Sequence, residues 1–121
     1  HGSCLCGTIR YAITGDISHV SRCHCRMCQK QHAAEFATYV SIKRGQFRYT
    51  HGEDALTAFN SSSTIERRFC KHCGSTMEWS GSPQFPDWIS IPLATFDSDF
   101  QPDHIEDVHL ESRRAYYLAH H

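Results

Sequence analysis

The sequence lacks any long apolar run. Nothing in it approaches the roughly 18 consecutive apolar residues of a membrane span. The longest apolar-leaning piece, Trp88 to Phe96, is interrupted by Ser90, Pro92 and Thr95. An excess of positive charge is also missing: 12 Lys and Arg stand against 13 Asp and Glu. That balance argues against a phosphate-backbone binder, so neither nucleic acid nor a membrane is an expected partner. No secretory signal pattern, internal repeat, low-complexity run or linker is present. The 121 residues, 40% hydrophobic and 21% charged, therefore read as one soluble globular domain over 1–121 with a modest core. The chain opens on His1 without a methionine, which leaves room for residues upstream. Its His120–His121 end reads as the start of a purification tag and carries no weight.

Cysteine is what the chain has in quantity: Cys4, Cys6, Cys23, Cys25, Cys28, Cys70 and Cys73. A secreted disulfide scaffold and an intracellular metal protein are the two classes that use cysteine this heavily. An odd count leaves one thiol over in the first. Cys-x-Cys neighbours on an extended chain point to opposite faces and rarely pair with each other. The spacing therefore favours a cytoplasmic metal protein.

Around the cysteines the pattern is mostly β, with about seven or eight short antiparallel strands and little helix. Thr8–Ile13 alternates apolar and polar residues, and Phe36–Ile42 is the strongest strand. Gly45 marks a turn, which makes Gln46–Thr50 the hairpin partner of that strand. Val20–Arg22 leads into Cys23, Ala55–Phe59 is a short strand, and Thr64–Phe69 runs straight into Cys70. Thr76–Trp79 and Trp88–Ala94 follow, the latter with Pro92 pointing to an edge or a bulge. Only Arg26 to about Glu35 tolerates a helix.

Closed structural zinc sites want four ligands, usually two pairs brought together by the fold. Cys4/Cys6 with Cys70/Cys73 meets that rule, leaving Cys23-His24-Cys25-Arg26-Met27-Cys28 as a compact three-thiol group. The other partition pairs Cys4/Cys6 with two central thiols and strands the knuckle Cys70-Lys71-His72-Cys73-Gly74; it ranks second. Three protein ligands and an open position mark a catalytic zinc. Three thiolates around Zn²⁺ leave a net −1, so such a metal is a weakened Lewis acid. A soft substrate thiol suits it better than water, and binding would hold that thiol as a nucleophilic thiolate.

Three segments, taken in order, resemble the glutathione-dependent formaldehyde-activating enzyme family, which also includes centromere protein V. They are Cys4-Leu5-Cys6-Gly7-Thr8-Ile9-Arg10-Tyr11, Cys23-His24-Cys25-Arg26-Met27-Cys28 and Arg68-Phe69-Cys70-Lys71-His72-Cys73-Gly74-Ser75. Phe100-Gln101-Pro102-Asp103-His104-Ile105 resembles the family's late Pro-x-x-His-Ile element. The resemblance implies a β-tent fold with two Zn²⁺ per chain. Cys4, Cys6, Cys70 and Cys73 would hold the structural zinc, and Cys23, Cys25 and Cys28 the catalytic one. It further implies a carbon–sulfur lyase activity that adds glutathione to formaldehyde, giving S-hydroxymethylglutathione. The alternatives of the same fold are a non-catalytic interaction module with two structural zincs and a thiol redox sensor.

His24, Arg26 and Lys30 are the candidate substrate contacts. Arg26 and Lys30 can clamp a carboxylate of a glutathione-like thiol, or simply form a solvated helix face. His24, lying between two ligands, points away from the metal by strand alternation. His72 is expected to face solvent, Arg67 and Arg68 to form a strand surface, and His104 to cap or buttress the fold. Trp79, Trp88, Phe36 and Tyr39 read as core.

Overall fold

The alternation in Ala37–Lys43 organises the molecule. Val40 and Ile42 turn to one side and are fully buried, while Ala37, Tyr39 and Ser41 turn to the other. A strand covered on both faces belongs in the middle of a sheet, and that is where the computed structural model places it. The structure describes residues 1–120, with side chains described over 1–117. The elements are β1 (Gly2–Ser3), β2 (Arg10–Ile13), β3 (His19–Cys23), α1 (Arg26–His32), β4 (Ala37–Lys43), β5 (Phe47–His51) and β6 (Leu56–Asn60). They continue with β7 (Glu66–Cys70), β8 (Thr76–Ser80), β9 (Trp88–Pro92), β10 (Glu106–Val108) and α2 (Ala115–His120).

Two sheets result, with few helices. One has the order β1-β2-β5, the other β10-β3-β4-β9-β8-β7-β6. All pairs are antiparallel except β10 with β3. The core lies between the sheets. Val20, Val40, Ile42, Ile89 and Ile91 of the large sheet pack with Tyr11 of the small one and with Ile9 just before it. A register shift between Arg68 and Phe69 turns both Met77 and Glu78 inward. Glu78 is fully buried there and is held by the Tyr49 hydroxyl (2.8 Å), Arg44 (3.1 Å) and Arg68 (3.4 Å).

Three expectations are corrected. The segment after Gly45 is not the hairpin partner of β4, whose two edges are taken by β3 and β9. It pairs with β2 in the other sheet, where Gln46 donates to the carbonyls of Thr14 and Asp16 (both 3.0 Å). β9 is interior, between β4 and β8; Pro92 stands at its last position, beyond the pairing with β8. The helix stops at His32, because Ala33 takes a left-handed conformation (φ 52°). Two elements of the tail, β10 and α2, carried no signal in the sequence. Among the described residues no helix is long and apolar enough to cross a membrane. His121, half of the tag-like end, lies outside the described residues.

Candidate metal centre

The sulfurs of Cys4, Cys6, Cys70 and Cys73 all lie within 4.8 Å of one another. Cys6 Sγ is 3.6 Å from Cys4 Sγ and 3.9 Å from Cys70 Sγ. A disulfide would need about 2.05 Å, and all seven cysteines are free. A tetrahedron with Zn–S bonds of about 2.3 Å has edges of about 3.8 Å, so the donor set and its spacing fit zinc. The local chain explains the shape. Gly7 (φ 79°) and Gly74 (φ 80°) each turn the backbone back just past a ligand. Their amides close the turns onto the carbonyls of Cys4 (3.0 Å) and Cys70 (2.8 Å). The Ile9 amide donates to Cys4 Sγ (3.3 Å). Ser75 ties the two turns together, accepting from the Leu5 amide (2.9 Å) and lying 3.2 Å from Cys73 Sγ. That hydroxyl brings the Cys73 thiol down to about 5, while burial pushes Cys70 up to about 11.

The second group sits on the opposite, outward face of the large sheet. Cys23 ends β3. Cys25 is the N-cap of α1, its sulfur accepting from the Cys28 amide (3.4 Å). The three ligand atoms of Cys23, Cys25 and Cys28 lie within 4.8 Å of one another, and among the described residues no His, Asp, Glu or further Cys joins them. Ala37, Tyr39 and Trp79 pack around this group. Three soft donors in such a compact set also fit zinc.

The groups supporting these sulfurs were the least legible. Arg67 is buried, not on a strand surface. It donates to Cys28 Sγ (3.5 Å), Gln31 Oε1 (3.3 Å) and Ser61 Oγ (3.0 Å). The neighbouring Cys23 thiol and this guanidinium bring the Cys28 thiol down to about 5. Cys23 is pushed up by the same sulfur contact and by burial. Tyr39 Oη lies 3.9 Å from Cys28 Sγ and 2.8 Å from His32 Nε2. Asp107 of β10 takes both Arg22 nitrogens (2.9 Å each) and His24 Nε2 (2.9 Å).

Among the sequence candidates, His24 is fully buried between Phe36 and Tyr117, with ring centroids at 5.3 and 4.8 Å. It is outside the three-sulfur set. Arg26 is exposed and bonds Gln29, and Lys30 is exposed on the same helix. His72 is exposed, and so is His104.

Together these features define a class: a two-sheet β protein carrying two cysteine clusters, one of four sulfurs and one of three, each able to hold a metal. The family model for the glutathione-dependent formaldehyde-activating enzyme matches residues 1–112. The chain belongs to that family. A putative glutathione-dependent formaldehyde-activating enzyme of Podospora anserina is 30% identical over 74 residues, covering 60% of this chain and 35% of that protein. An uncharacterized lyase of Schizosaccharomyces pombe is 28% identical over 113 residues, covering 84% of this chain and 80% of its own. The chain thus spans about a third of the Podospora relative and most of the fission-yeast one. A crystal structure of a Rhodobacter sphaeroides protein superposes with a TM-score of 0.72 at 18% identity, covering 88% of this chain and 98% of that one. That likeness concerns the fold.

Proposed function

We propose that this chain is a zinc-dependent, carbon–sulfur lyase-like enzyme that activates a thiol, glutathione or similar, for addition to an aldehyde such as formaldehyde. The observation that carries the reading is the inequality of the two sulfur groups: four donors in one, three in the other. Cys4, Cys6, Cys70 and Cys73 hold the fold together. Cys23, Cys25 and Cys28 leave a position for substrate. Zinc held there supplies the positive charge that lowers a thiol's pKa.

The chemistry asked of the site is small. The thiol sulfur forms a bond to the carbonyl carbon, and the carbonyl π pair moves to oxygen. The proton lost from sulfur ends on that oxygen, so no further reactant is consumed. The reverse reaction breaks the carbon–sulfur bond. Arg67 offsets the charge gathered at Cys28. Asp107, through Arg22 and His24, steadies the turn that presents Cys23 and Cys25. Arg26 and Lys30 are the exposed cations of α1 available to a carboxylate of the thiol.

Two measurements test this. Metal analysis is expected to give two zincs per chain, with Cys25→Ser losing one. In protein loaded with Co²⁺, glutathione is expected to change the visible spectrum of the wild type and not of Cys25→Ser. One zinc in the wild type, or an unresponsive spectrum, would remove the reading.

A further inference from the structure

The outward face of the large sheet continues past the three-sulfur group into a groove of about 610 Å³. Formaldehyde, with a single carbon, has nothing with which to fill it. The registers His19↔Ser41, Ser41↔Ser90 and Trp79↔Ser90 lay one row of side chains across four strands. Ser41 and Ser90 form the floor, their hydroxyls bonded to each other at 2.9 Å. Two short side chains leave the depth, and their mutual bond uses one O–H and leaves the other as a donor on the floor, suited to a carbonyl oxygen. Aromatic side chains stand along its walls, among Ser18, Ser21, Ser82 and Gln84. His19 stands edge-on to Trp88 at 5.2 Å, Trp79 lies across the row, and Phe85 is 60% exposed over the rim.

No cysteine lines the groove, but two of its lining residues adjoin the three-sulfur group. Val108, on its lining, is the register partner of Cys23. Trp79, also on its lining, packs against the cluster of Cys28 and Tyr39. Its charge is as telling as its shape. Among the described residues no lysine or arginine lines it, and the one carboxylate that does is Glu106. An anionic ligand would find no lysine or arginine and one repulsion, with only the imidazole, amide and hydroxyl groups of His19, His104, Gln84 and the serines to meet it. The cations Arg26 and Lys30 belong to α1, which does not line it. Charged and uncharged substrate parts therefore have separate places.

We propose that this groove binds the carbonyl partner of the reaction, and that this partner is an uncharged aromatic aldehyde rather than formaldehyde alone. The proposal rests on the thiol-activating reading of Cys23, Cys25 and Cys28, because the carbonyl carbon must sit beside that centre. The ring packs edge-on against Trp79 and Trp88 in the way aromatic pairs favour. The bond changes are those given above, ending in the aryl-substituted hydroxymethyl thioether.

The test uses zinc-loaded protein and benzaldehyde. Trp79 and Trp88 are the chain's two tryptophans, so their fluorescence reports the groove with no other emitter of that kind. Benzaldehyde is expected to quench it saturably, as is benzyl alcohol, which has the ring without the electrophile. Formaldehyde is expected to leave it unchanged at the same concentration. Ser90→Leu, which fills the floor, is expected to weaken the benzaldehyde transition at least tenfold. If that variant does not fold, Phe85→Ala at the exposed wall serves, with an expected weakening of about threefold. Non-saturable quenching, an equal response to formaldehyde, or midpoints unmoved in the folded variants would each overturn the groove assignment. The cobalt spectrum with glutathione is read separately. Its failure would sink the thiol centre, whatever the tryptophans report.

Discussion

Replacing Arg67 with methionine is the most direct way to ask what holds the three-sulfur group. Arg67 is 4% exposed, so its charge is not screened by water. It makes three hydrogen bonds, one of them to Cys28 Sγ. Methionine roughly preserves the length and apolar stem and removes every donor. A hydrogen bond to a charged group contributes about 1.5–3 kcal/mol, and here the acceptor is one of three thiolates whose charge exceeds that of Zn²⁺ by one. Assigning that range to the metal-loaded state predicts a weakening of zinc at this site by about 10- to 150-fold, at about 1.4 kcal/mol per decade. Loss of other groups that orient metal ligands has effects of about 10- to 100-fold. The assay is zinc release to a chromophoric chelator. The wild type is expected to surrender two zincs in two steps, and in Arg67→Met only one step shifts. Arg67→Lys, which keeps charge but loses the planar fork, falls between. An unmoved release curve in a folded variant would refute the role given to Arg67, and so would an equal shift of both steps.

Other outcomes follow from the same geometry. Cys70→Ser, unlike Cys25→Ser, is expected to lower the melting temperature sharply, since it opens the clasp between the chain start and β7; a melting curve matching wild type would argue against a structural role. Glu78 is fully buried; burial alone would raise its pKa, but bonds from Tyr49, Ser80 and Arg44 and the charge of Arg68 hold it below the ordinary 4.5. Because the folded value is the lower one, its contribution is present above 4.5 and is lost as pH falls through the folded value. Glu78→Gln should therefore flatten the acid limb of a stability–pH profile, and a parallel profile would contradict this. Asp107→Asn leaves His24 and Arg22 without their carboxylate, a cost of about 1–3 kcal/mol at the His24 end. Chemical denaturation measures it, and a change below a few tenths would show that the triad is incidental.

The sequence made the chemistry of the site more legible than its supports. Thiol spacing is local, so the partition of seven cysteines into four and three could be reasoned from residues one and two apart. Arg67 could not. Which face it occupies depends on the parity of β7, and its partner Cys28 lies 39 residues away. Two features could have found it: the Arg-Arg pair beside Cys70, and the alternation that puts Arg67 opposite Trp79. Asp107 is 83 residues from His24 and sits in a strand of three residues, too short for any periodicity. The expected β4 hairpin fails for a similar reason. A turn signal reports that the chain reverses, not whether the edge it would pair with is free, and both edges of β4 are already taken.

The position of Arg67 on β7 has one more consequence. Only Arg68 and Phe69 separate it from Cys70, and all four lie on a single paired strand. The same rod that delivers a sulfur to one centre delivers a guanidinium to the other. On the proposed reading, removing a metal held by Cys70 would take one anchor from the end of β7 that also carries Arg67 toward Cys28. On the proposed two-zinc reading, the clasp is expected to fill first and set β7, with the three-sulfur group completed on a strand already anchored.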